Sequence, residues 1–372
     1  MTDKLPYLAL KSIPGVGPVL FQRLLARFCH PGRVFEARTE ELLGVKGVNR
    51  DLAQDLLAFR DWDRVEAEFA KMAAAGIEVV MPDDPRFPAR LKQIPYSPAF
   101  FFLKGTLLPQ DDLALAVVGT RGASYYGLKT CRRLAGGLAA RGVTVVSGLA
   151  RGIDTAAHQE ALETGGRTLA VLGCGLDVVY PPENLKFYEQ IPGQGALISE
   201  FPLGTPPEAK NFPIRNRIIS GLALGVVVVE AGLKSGTGIT VRYALEQGRE
   251  VFAVPGPIDS PTSIGPHRLI QQGAKLVQDV EDIFQEFPGL ARGQGRLFGV
   301  PSRVSETSGP AAPAAAAPED PLLALLGSDP LSIEELLRAT GLAAPQVLSR
   351  LTVLELEGLI RELPGKRFVL EN

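Results

Sequence analysis

Four glycine-rich segments lie near the middle of the chain, and three of them combine a freely turning backbone with hydroxyl and cationic side chains. Glycine lets the backbone turn tightly and expose its amides, while hydroxyl and guanidinium groups donate further hydrogen bonds. A helix that begins after such a turn adds a positive partial charge, so the pattern is typical of phosphate binding. The segments are Gly119 to Gly122, Ser147 to Asp154, Gly173 to Gly175, and Lys234 to Thr240.

One further segment, from Lys210 to Arg217, places an aromatic ring among cations and precedes a predicted helix from Ile218 to Gly221. Single-stranded nucleic acids are held by such groups, because Lys and Arg neutralise the phosphates and aromatic rings stack on bases, each stack contributing about 1–3 kcal/mol. Two other interpretations stay open: Phe212 as a core residue, and Arg215 and Arg217 as salt-bridge partners that fix the crevice wall. From residue 121 to 242 the chain has 13 Lys and Arg against 9 Asp and Glu, so this region is locally basic.

The sequence lacks the signatures of a dinucleotide or metal site. The G-x-G-x-x-G pattern is absent, and no acidic residue directly follows the predicted second strand, Val143–Val146, where a ribose would need one. The 3 Cys and 3 His include no C-x-x-C, which favours reduced thiols over disulfides or a zinc site. We therefore expect no metal and no cofactor.

Length and composition predict a soluble, multidomain protein. At 372 residues, 45% hydrophobic and 22% charged, the chain is close to globular averages and long enough for about two to three domains of ~150 residues. Its longest uncharged apolar segment, Ile218–Val229, has 12 residues, fewer than the ~18 of a membrane helix. With net charge −2 and no apolar leader at the amino terminus, we expect a cytoplasmic protein without membrane contact whose nucleic-acid site is local.

Short apolar segments alternate with helical ones in residues 79–287. The predicted strands, rich in branched residues, are Leu113–Val118, Val143–Val146, Thr168–Leu172, Ala196–Ser199, Val226–Val229 and Val251–Val254. Strands that are buried on both faces of a parallel sheet have this composition, and their alternation with helices predicts a doubly wound α/β fold. Ligands bind such sheets beyond the carboxyl ends of the strands, so the glycine-rich segments should meet at one edge.

Residues 1–78 contain an internal repeat in which a glycine hairpin precedes a helix, at Ile13 to Gly17 and at Leu43 to Val48. The repeat predicts an all-α helix-hairpin-helix, SAM-like domain. Such hairpins hold DNA backbones or serve only as packing modules, and both interpretations stay open.

The carboxyl-terminal part divides into a linker and a small domain. Residues 288–320 are rich in Gly, Ser, Pro and Ala and predict a flexible linker. Residues 321–372 show the winged-helix order of three helices and a hairpin that turns at Pro364 to Lys366. The predicted helices are Leu322–Leu326, Ile333–Arg338 and Pro345–Glu357. With 5 basic and 7 acidic residues, this domain is predicted to contact protein, or DNA only weakly.

The ordered motifs of the middle region resemble those of the DprA/Smf family of bacterial DNA-processing proteins. The resemblance covers roughly residues 80–280, and the flanking domains also fit longer members. The motifs are Val118 to Arg121 with Tyr126 and Gly127; Ser147 to Asp154 with His158; Ala170 to Gly175 with Asp177, Tyr180, Pro181 and Asn184; Ser199, Glu200 and Pro202; Phe212 to Ile219; and Ser235 to Thr237 with Thr240 and Ala244.

The resemblance implies an extended Rossmann-like core that binds single-stranded DNA. It further implies a homodimer that loads the RecA recombinase onto the strand in natural transformation or DNA repair, with single-strand-binding protein as another partner. The implied dimer interface lies around residues 255–287, with Ile258, Leu269 and Ile270 as candidates. The implied DNA-binding residues are Gly119, Thr120, Arg121, Gly122, Ser147, Arg151, Lys210, Phe212, Arg215, Arg217, Ser235, Gly236 and Thr237.

The alternative is a nucleotide-processing enzyme similar to the lysine-decarboxylase-like phosphoribohydrolases. Those proteins carry P-G-G-x-G-T-x-x-E, whereas the corresponding segment here, Lys234 to Thr240, has no acidic residue at the final position. Carboxylates near the predicted strand ends are Asp154, Glu200 and Glu230, for which we expect structural roles. The sequence therefore favours a binding protein over an enzyme.

Overall fold

A computed structural model describes residues 4–233 and 235–287 continuously and residues 322–370 with gaps. In the last range the described residues are 322, 325–326, 330–342, 344–356, 359–363 and 367–370. The predicted linker 288–320, the predicted turn at Pro364 to Lys366 and residues 323–324 of the predicted helix Leu322–Leu326 lie outside the described residues. Among the described helices, none is both long and apolar enough to cross a membrane.

Helices occupy the amino-terminal region: α1 (Leu5–Ser12), α2 (Pro18–Phe28), α3 (Pro31–Phe35), α4 (Thr39–Leu43), α5 (Arg50–Ala58) and α6 (Trp62–Ala74). The predicted repeat is visible in two hairpins, where Gly15 and Gly47 have φ values of +89° and +105° that favour glycine. The following residues, Val16 and Val48, each donate a backbone hydrogen bond to the carbonyl three residues earlier, at 3.1 and 3.0 Å. The two hairpins therefore share one local geometry ahead of α2 and α5.

A nine-stranded sheet forms the centre of the protein. Its strands are β1 (Ile77–Val80), β2 (Phe101–Gly105), β3 (Ala114–Val118), β4 (Thr144–Ser147), β5 (Thr168–Leu172), β6 (Gly195–Ser199), β7 (Gly225–Val228), β8 (Glu250–Ala253) and β9 (Lys275–Leu276). Strands β3 to β9 pair in parallel, whereas β1 and β2 are antiparallel. The predicted mostly parallel sheet is confirmed, and each predicted strand end lies within one residue of the observed end.

The order of strands across the sheet creates a crevice beside β3. The order is β1-β2-β6-β5-β4-β3-β7-β8-β9, so the chain builds outward from β3 to β6 and then returns to place β7 on the other side of β3. At such a reversal the two flanking loops diverge and leave room for a ligand beyond the carboxyl ends of the strands. The loops after β3 and β7 therefore border the expected ligand site.

Helices cover the sheet: α7 (Ala89–Lys92), α8 (Tyr125–Ala140), α9 (Ile153–Glu163), α10 (Leu185–Gln194), α11 (Asn211–Leu222), α12 (Thr237–Glu246), α13 (Ile264–Gln271) and α14 (Val280–Gln285). Alternate side chains of β5 enter different hydrophobic clusters, because successive strand residues point to opposite faces. Ala170 and Leu172 join a cluster that continues into the amino-terminal helices, while Leu169 and Val171 join the other. The predicted domains 1–78 and 79–287 therefore share one hydrophobic core and, apart from residues 124–129, lie in one compact unit.

Helix α11 begins seven residues earlier than the sequence predicted, at Asn211 instead of Ile218. Pro213 falls in its first turn, where the missing N–H has no helical acceptor to lose. Since residues three apart lie on one helix face, Phe212 and Arg215 share a face. Arg217 is turned about 200° away from Arg215, which gives the two arginines different surroundings.

A second compact unit holds the small carboxyl-terminal fold. Its described elements are β10 (Leu331–Ser332), α15 (Ile333–Thr340), α16 (Ala344–Leu356), β11 (Ile360–Leu363) and β12 (Arg367–Leu370), with strand order β10-β12-β11. The Ser332 hydroxyl caps α15 by accepting the Glu335 N–H at 3.3 Å, and Gly341 ends it with φ +67°. Leu336 and Phe368 are buried between the helices and the hairpin. The second and third predicted helices and the two hairpin strands thus follow in the predicted winged-helix order, and β10 is an additional strand that was not predicted.

Candidate functional site

A cavity of about 600 Å³ opens at the carboxyl edge of the sheet, between the loops after β3 and β7. This volume falls in the range of small-ligand sites. Eight of the residues predicted to bind DNA line it: Gly119, Thr120, Arg121, Phe212, Arg215, Ser235, Gly236 and Thr237. The glycine-rich segments that follow β3, β4 and β7 in sequence thus meet at one place, as expected for parallel strands, whereas the fourth, Gly173 to Gly175 after β5, contributes no lining residue.

The loop after β3 is tightly held. The Thr120 N–H donates to the carbonyl of Glu230 at 2.8 Å, and the Ile153 N–H donates to the carbonyl of Thr120 at 3.3 Å. A Cβ at Gly119 would lie 2.5 Å from Cγ1 of Ile153, well inside van der Waals contact. Glycine is therefore required at position 119 so that α9 can approach the loop.

Arg121 lies over the aromatic ring of Phe212, with its guanidinium carbon 5.2 Å from the ring centroid. Its side chain is exposed, and within the described part of the chain no carboxylate lies at ion-pair distance. A cation–π contact of this kind orients the guanidinium without occupying its N–H donors. Arg121 therefore presents an open anion-binding group at the cavity mouth.

Arg215 approaches the same ring from the protein interior, at 5.9 Å from the centroid. Its Nη1 donates to the carbonyl of Gly148 at 2.6 Å and also to the carbonyl of Val171. Burial lowers the pKa of Arg215 to about 10, although nearby Asp154 acts in the opposite direction. Arg215 thus joins the loop after β4 to β5 and places positive charge in the cavity floor.

Buried hydrogen bonds hold the loop after β4. The Ser147 hydroxyl donates to the carbonyl of Val117 at 2.6 Å, and the Gly148 N–H donates to the carboxylate of Asp154 at 3.2 Å. Burial raises the pKa of Asp154. Ser147 is fully buried, so it anchors the loop and does not line the cavity.

His158 stabilises an unusual residue in that loop. Leu149 has a φ of +53°, which is uncommon outside glycine, and its N–H donates to Nε2 of His158 at 3.3 Å. The Thr168 hydroxyl donates to the carbonyl of Val145 at 2.7 Å. Its oxygen therefore accepts from Nδ1 of His158, 2.7 Å away, and the imidazole is neutral with its proton on Nδ1.

Acidification should destabilise the fold through His158. Burial lowers its pKa to about 3, against about 6.5 in an unfolded chain. The folded state therefore disfavours the charged form, so the stabilising contribution of His158 is complete above pH ~6.5 and is lost as the pH falls toward 3. At about pH 5 the loss amounts to about 2 kcal/mol. Urea unfolding near pH 7.5 and near pH 5 measures this loss of unfolding free energy.

A variant that cannot titrate provides the control for this prediction. His158→Gln keeps a hydrogen-bond acceptor and a donor, so between these pH values it should lose about 2 kcal/mol less unfolding free energy than the wild type. Equal losses in the two proteins would assign the acid sensitivity to other groups.

The loop after β7 contributes hydroxyl groups and a helix start. The Ser235 hydroxyl donates to Oγ1 of Thr237 at 2.8 Å, and the Thr237 N–H donates to Oγ of Ser235 at 3.2 Å. Helix α12 begins at Thr237, which places the positive end of its dipole at the cavity. In the described ranges no three or more His, Cys, Asp or Glu side chains are grouped to hold a metal ion.

Arg217 lies outside the cavity lining. Its Nη2 is 2.6 Å from Oε2 of Glu200, and both side chains are buried. Lys11 of α1 lies 3.5 Å from the other oxygen of the same carboxylate. Arg217 therefore has the salt-bridge role that the sequence left open, and it helps to join α1 to the sheet.

Three other predicted residues lie outside the lining. Arg151 pairs with Glu183, with Nη2 3.2 Å from Oε2, and Nζ of Lys210 lies 2.6 Å from Oε2 of Glu208. Gly122 is exposed directly after Arg121. The structure thus separates the predicted cations into one open arginine, two buried arginines and two surface ion pairs.

The lining also contains residues that were not predicted as DNA-binding: Val118, Ala150, Asp154, Asn216, Ile219, Gly232 and Thr240. Asn216 and Ile219 face the cavity because α11 starts early and brings residues one turn after Phe212 and Arg215 to the same side. If the predicted helix had started at Asn211, its periodicity would have placed both residues on the cavity side. Thr240 follows Thr237 by three residues on α12 and could have been found in the same way.

Comparison with known proteins assigns this fold and site to a family. The family model described as DNA recombination-mediator protein A matches residues 78–288, more than half of the chain. The chain belongs to the DNA recombination-mediator protein A family. Further models for a SAM-like helix-hairpin-helix tandem and a DprA winged helix domain match residues 7–59 and 306–366.

Similar proteins support the membership of this family. Protein Smf of Escherichia coli is 41% identical over 321 residues, which cover 86% of this chain and 84% of that protein. The crystal structure of DNA processing protein A from Streptococcus pneumoniae has a TM-score of 0.68 and 36% identity, covering 77% of this chain and 98% of that one. A structure of DNA processing protein A from Helicobacter pylori, whose subject is its single-stranded DNA binding mode, has a TM-score of 0.51 and 27% identity, covering 57% and 96%.

The match to the DNA recombination-mediator protein A family includes the whole cavity. Every lining residue, from Val118 to Thr240, falls within residues 78–288. The cavity is therefore part of the family's own domain and not of an appended one.

Proposed function

We propose that this cavity holds single-stranded DNA by its phosphates and by an unpaired base. The observation that carries the proposal is Arg121, an exposed guanidinium oriented by Phe212 and open to an anion at the mouth of the cavity. The Helicobacter pylori relative, with its single-stranded DNA binding mode, supports the same ligand here.

The lining suits a strand better than a duplex. Arg121 and the start of α12 supply positive charge for phosphate, and the partly exposed ring of Phe212 supplies an aromatic surface for a base. A base reaches that ring only when it is unstacked from its partner strand. We therefore expect selectivity for single strands over duplexes.

We propose further that the bound nucleotide is not altered chemically. The carboxylates near the strand ends already have partners: Asp154 accepts from Gly148, and Glu200 pairs with Arg217. Glu230 accepts from the Thr262 hydroxyl at 2.9 Å. A general acid or base must lie within hydrogen-bond reach of the reacting group. Of these three carboxylates only Asp154 lines the cavity, where its side chain is buried, and this placement favours binding over hydrolysis.

In the same proposal the strand is handed to the RecA recombinase in the cytoplasm, during natural transformation or DNA repair. The family description as a recombination mediator supports this step, and single-strand-binding protein is the competitor to be displaced. RecA-dependent strand exchange on strands coated with single-strand-binding protein is the measurement that tests it.

Binding isotherms for labelled single strands and duplexes across a salt series test the central proposal. We expect tighter binding of the single strand, with an affinity that falls as salt rises by a slope of about 0.7 per phosphate contact. Equal or tighter duplex binding would contradict the proposal, and release of free base from nucleoside monophosphates would favour the enzyme alternative.

We also propose a homodimer formed near the edge of the sheet at β9. Ile258 is 92% exposed, which is unusual for a large apolar side chain, and Leu276 of β9 is 40% exposed. Leu269, a second candidate, packs against the core of its own chain and is therefore a weaker candidate than Ile258.

Ile258→Asp should convert the dimer to a monomer, because the charge would be buried without a partner in the interface. Sedimentation velocity measures the change. Leu185→Asp, at a site 49% exposed on α10, is the matched control and should remain dimeric. Loss of the dimer in the control alone would place the interface elsewhere.

A further inference from the structure

An aromatic ring and an ion pair, Tyr180 and the pair of Arg151 with Glu183, lie beside the cavity and outside its lining. The ring of Tyr180 is 5.7 Å from that of Phe212, centroid to centroid, with the planes inclined by 39°. Tyr180 is partly exposed and lies three residues before Glu183 in the segment that follows β5. Arg151 in turn holds Glu183 through both Nε and Nη2. The aromatic surface of the cavity thus continues toward a second arginine.

Buried contacts fix the positions of these groups. The Nδ2 of Asn184 donates to the carbonyl of Leu149 at 2.9 Å and to the hydroxyl of Thr155 at 2.8 Å, and Asn184 is only 3% exposed. These bonds join the segment that carries Tyr180 and Glu183 to the loop that carries Arg151. The arrangement therefore does not depend on the surface ion pair for its geometry.

The ion pair is suited to exchange. Both side chains are 52% exposed, and pairs of this kind contribute little to folding stability. A carboxylate that contacts two nitrogens of a guanidinium occupies the edge that a phosphate would use. The hydrogen bond from Arg151 lowers the pKa of Glu183, so the carboxylate remains charged at neutral pH. Arg121, by contrast, has no such carboxylate among the described residues.

We propose that Tyr180, Arg151 and Glu183 form a second nucleotide subsite, in which Glu183 occupies the phosphate position of Arg151 until a strand displaces it. This inference rests on the proposed function, since the strand reaches the subsite from the cavity past Phe212. Tyr180 stacks the neighbouring base, and Arg151 binds its phosphate. Glu183 thus competes with phosphate for Arg151 and lowers the affinity of the subsite for an isolated phosphate. A continuous strand that is already held at Arg121 can displace Glu183, so the subsite favours strands over isolated phosphates.

A double-mutant cycle tests the competition, with the anisotropy of a labelled oligothymidylate of about 15 nucleotides as readout. Glu183→Gln should tighten binding by about 2- to 5-fold, whereas Arg151→Ala should weaken it and reduce the salt slope by about 0.7. In the Arg151→Ala background, Glu183→Gln should have no further effect.

A general change of net charge would give a different result. Glu189→Gln, on the exposed side of α10, is the matched control and should leave the affinity nearly unchanged. Equal tightening by Glu183→Gln and Glu189→Gln, or tightening by Glu183→Gln that persists without Arg151, would overturn the competitor role.

Tyr180 is tested by a pair of variants in the same assay. Tyr180→Phe keeps the ring and should bind like the wild type, while Tyr180→Leu should bind about 5- to 150-fold more weakly with little change in salt slope. Thermal melting checks that both variants are folded. Wild-type affinity in a folded Tyr180→Leu protein would remove Tyr180 from the subsite.

Arg121→Ala in the same series distinguishes a failure of the proposed function from a failure of the second subsite. If the wild type binds the strand and Arg121→Ala weakens binding, the proposed function stands, and neutral variants at Tyr180 and Arg151 would then overturn only the second subsite. If Arg121→Ala has no effect, the cavity itself is not the strand site and both proposals fall.

Discussion

Arg121→Ala is expected to weaken single-stranded DNA binding by about 10- to 150-fold, the effect of one charge-assisted hydrogen-bonding group. The same change should reduce the slope of log affinity against log salt by about 0.7, because one phosphate contact is lost. The reason is the geometry of the free protein: Arg121 is exposed, oriented by Phe212 and without a carboxylate partner in the described structure. Fluorescence anisotropy across a salt series gives both quantities.

Two further variants show whether the loss in Arg121→Ala comes from a specific contact or from charge alone. Arg121→Lys keeps the charge but loses the planar group, so it should keep most of the salt slope while binding more weakly than the wild type. Arg132→Ala removes an exposed arginine from α8 and should leave both quantities nearly unchanged. A comparable loss in Arg132→Ala would point to general electrostatic attraction instead of a contact at Arg121.

Phe212→Leu is expected to weaken binding by about 5- to 150-fold, the equivalent of one lost base stack, with little change in salt slope. Leucine preserves apolar packing against Gly173, whose missing side chain makes room for the ring; a Cβ there would lie 2.9 Å from Cδ1 of Phe212. The variant therefore removes the aromatic surface with limited effect on the fold. Anisotropy and thermal melting of the same protein samples measure the two effects separately.

The structure adds a coupling that the sequence did not indicate. Because the ring also orients Arg121, part of the loss in Phe212→Leu should come from a less ordered guanidinium. The double variant Arg121→Ala/Phe212→Leu should therefore lose less affinity than the sum of the single losses in free energy, as contacting residues usually do. Strict additivity would mean that the ring acts on the DNA alone.

Most of the sheet was predictable because its signal is local. Branched apolar segments such as Thr168–Leu172 are buried on both faces, and such segments have few alternatives to a central parallel strand. The additional strands β1, β2 and β9 were missed. Strand β9 has only two residues, too few for a periodic pattern, and β1 and β2 form an antiparallel extension at one edge.

The start of α11 was wrong for an identifiable reason. Pro213 suggests a break in a helix, but in the first turn proline is tolerated. The early start decides the site, since it places Phe212, Arg215 and Asn216 against the cavity and turns Arg217 toward Glu200. The residue types alone do not show where the helix starts, so they could not predict that Arg215 faces the cavity and Arg217 faces away from it.

The sequence by itself determined the order of the six strands β3 to β8 and the composition of the glycine-rich loops, because backbone preference and apolar periodicity act over a few neighbouring residues. Which cations are open to a ligand was decided only by tertiary structure. Arg151 and Glu183 are 32 residues apart in sequence, and Arg217 and Glu200 are 17 apart. Arg151 meets Glu183 because parallel strands bring their loops to one edge, and Arg217 meets Glu200 because α11 turns its side chain toward the loop after β6. Electrostatic partners depend on distance in space, so the distinction between the open Arg121 and the paired Arg151 and Arg217 appears only when the sheet is assembled.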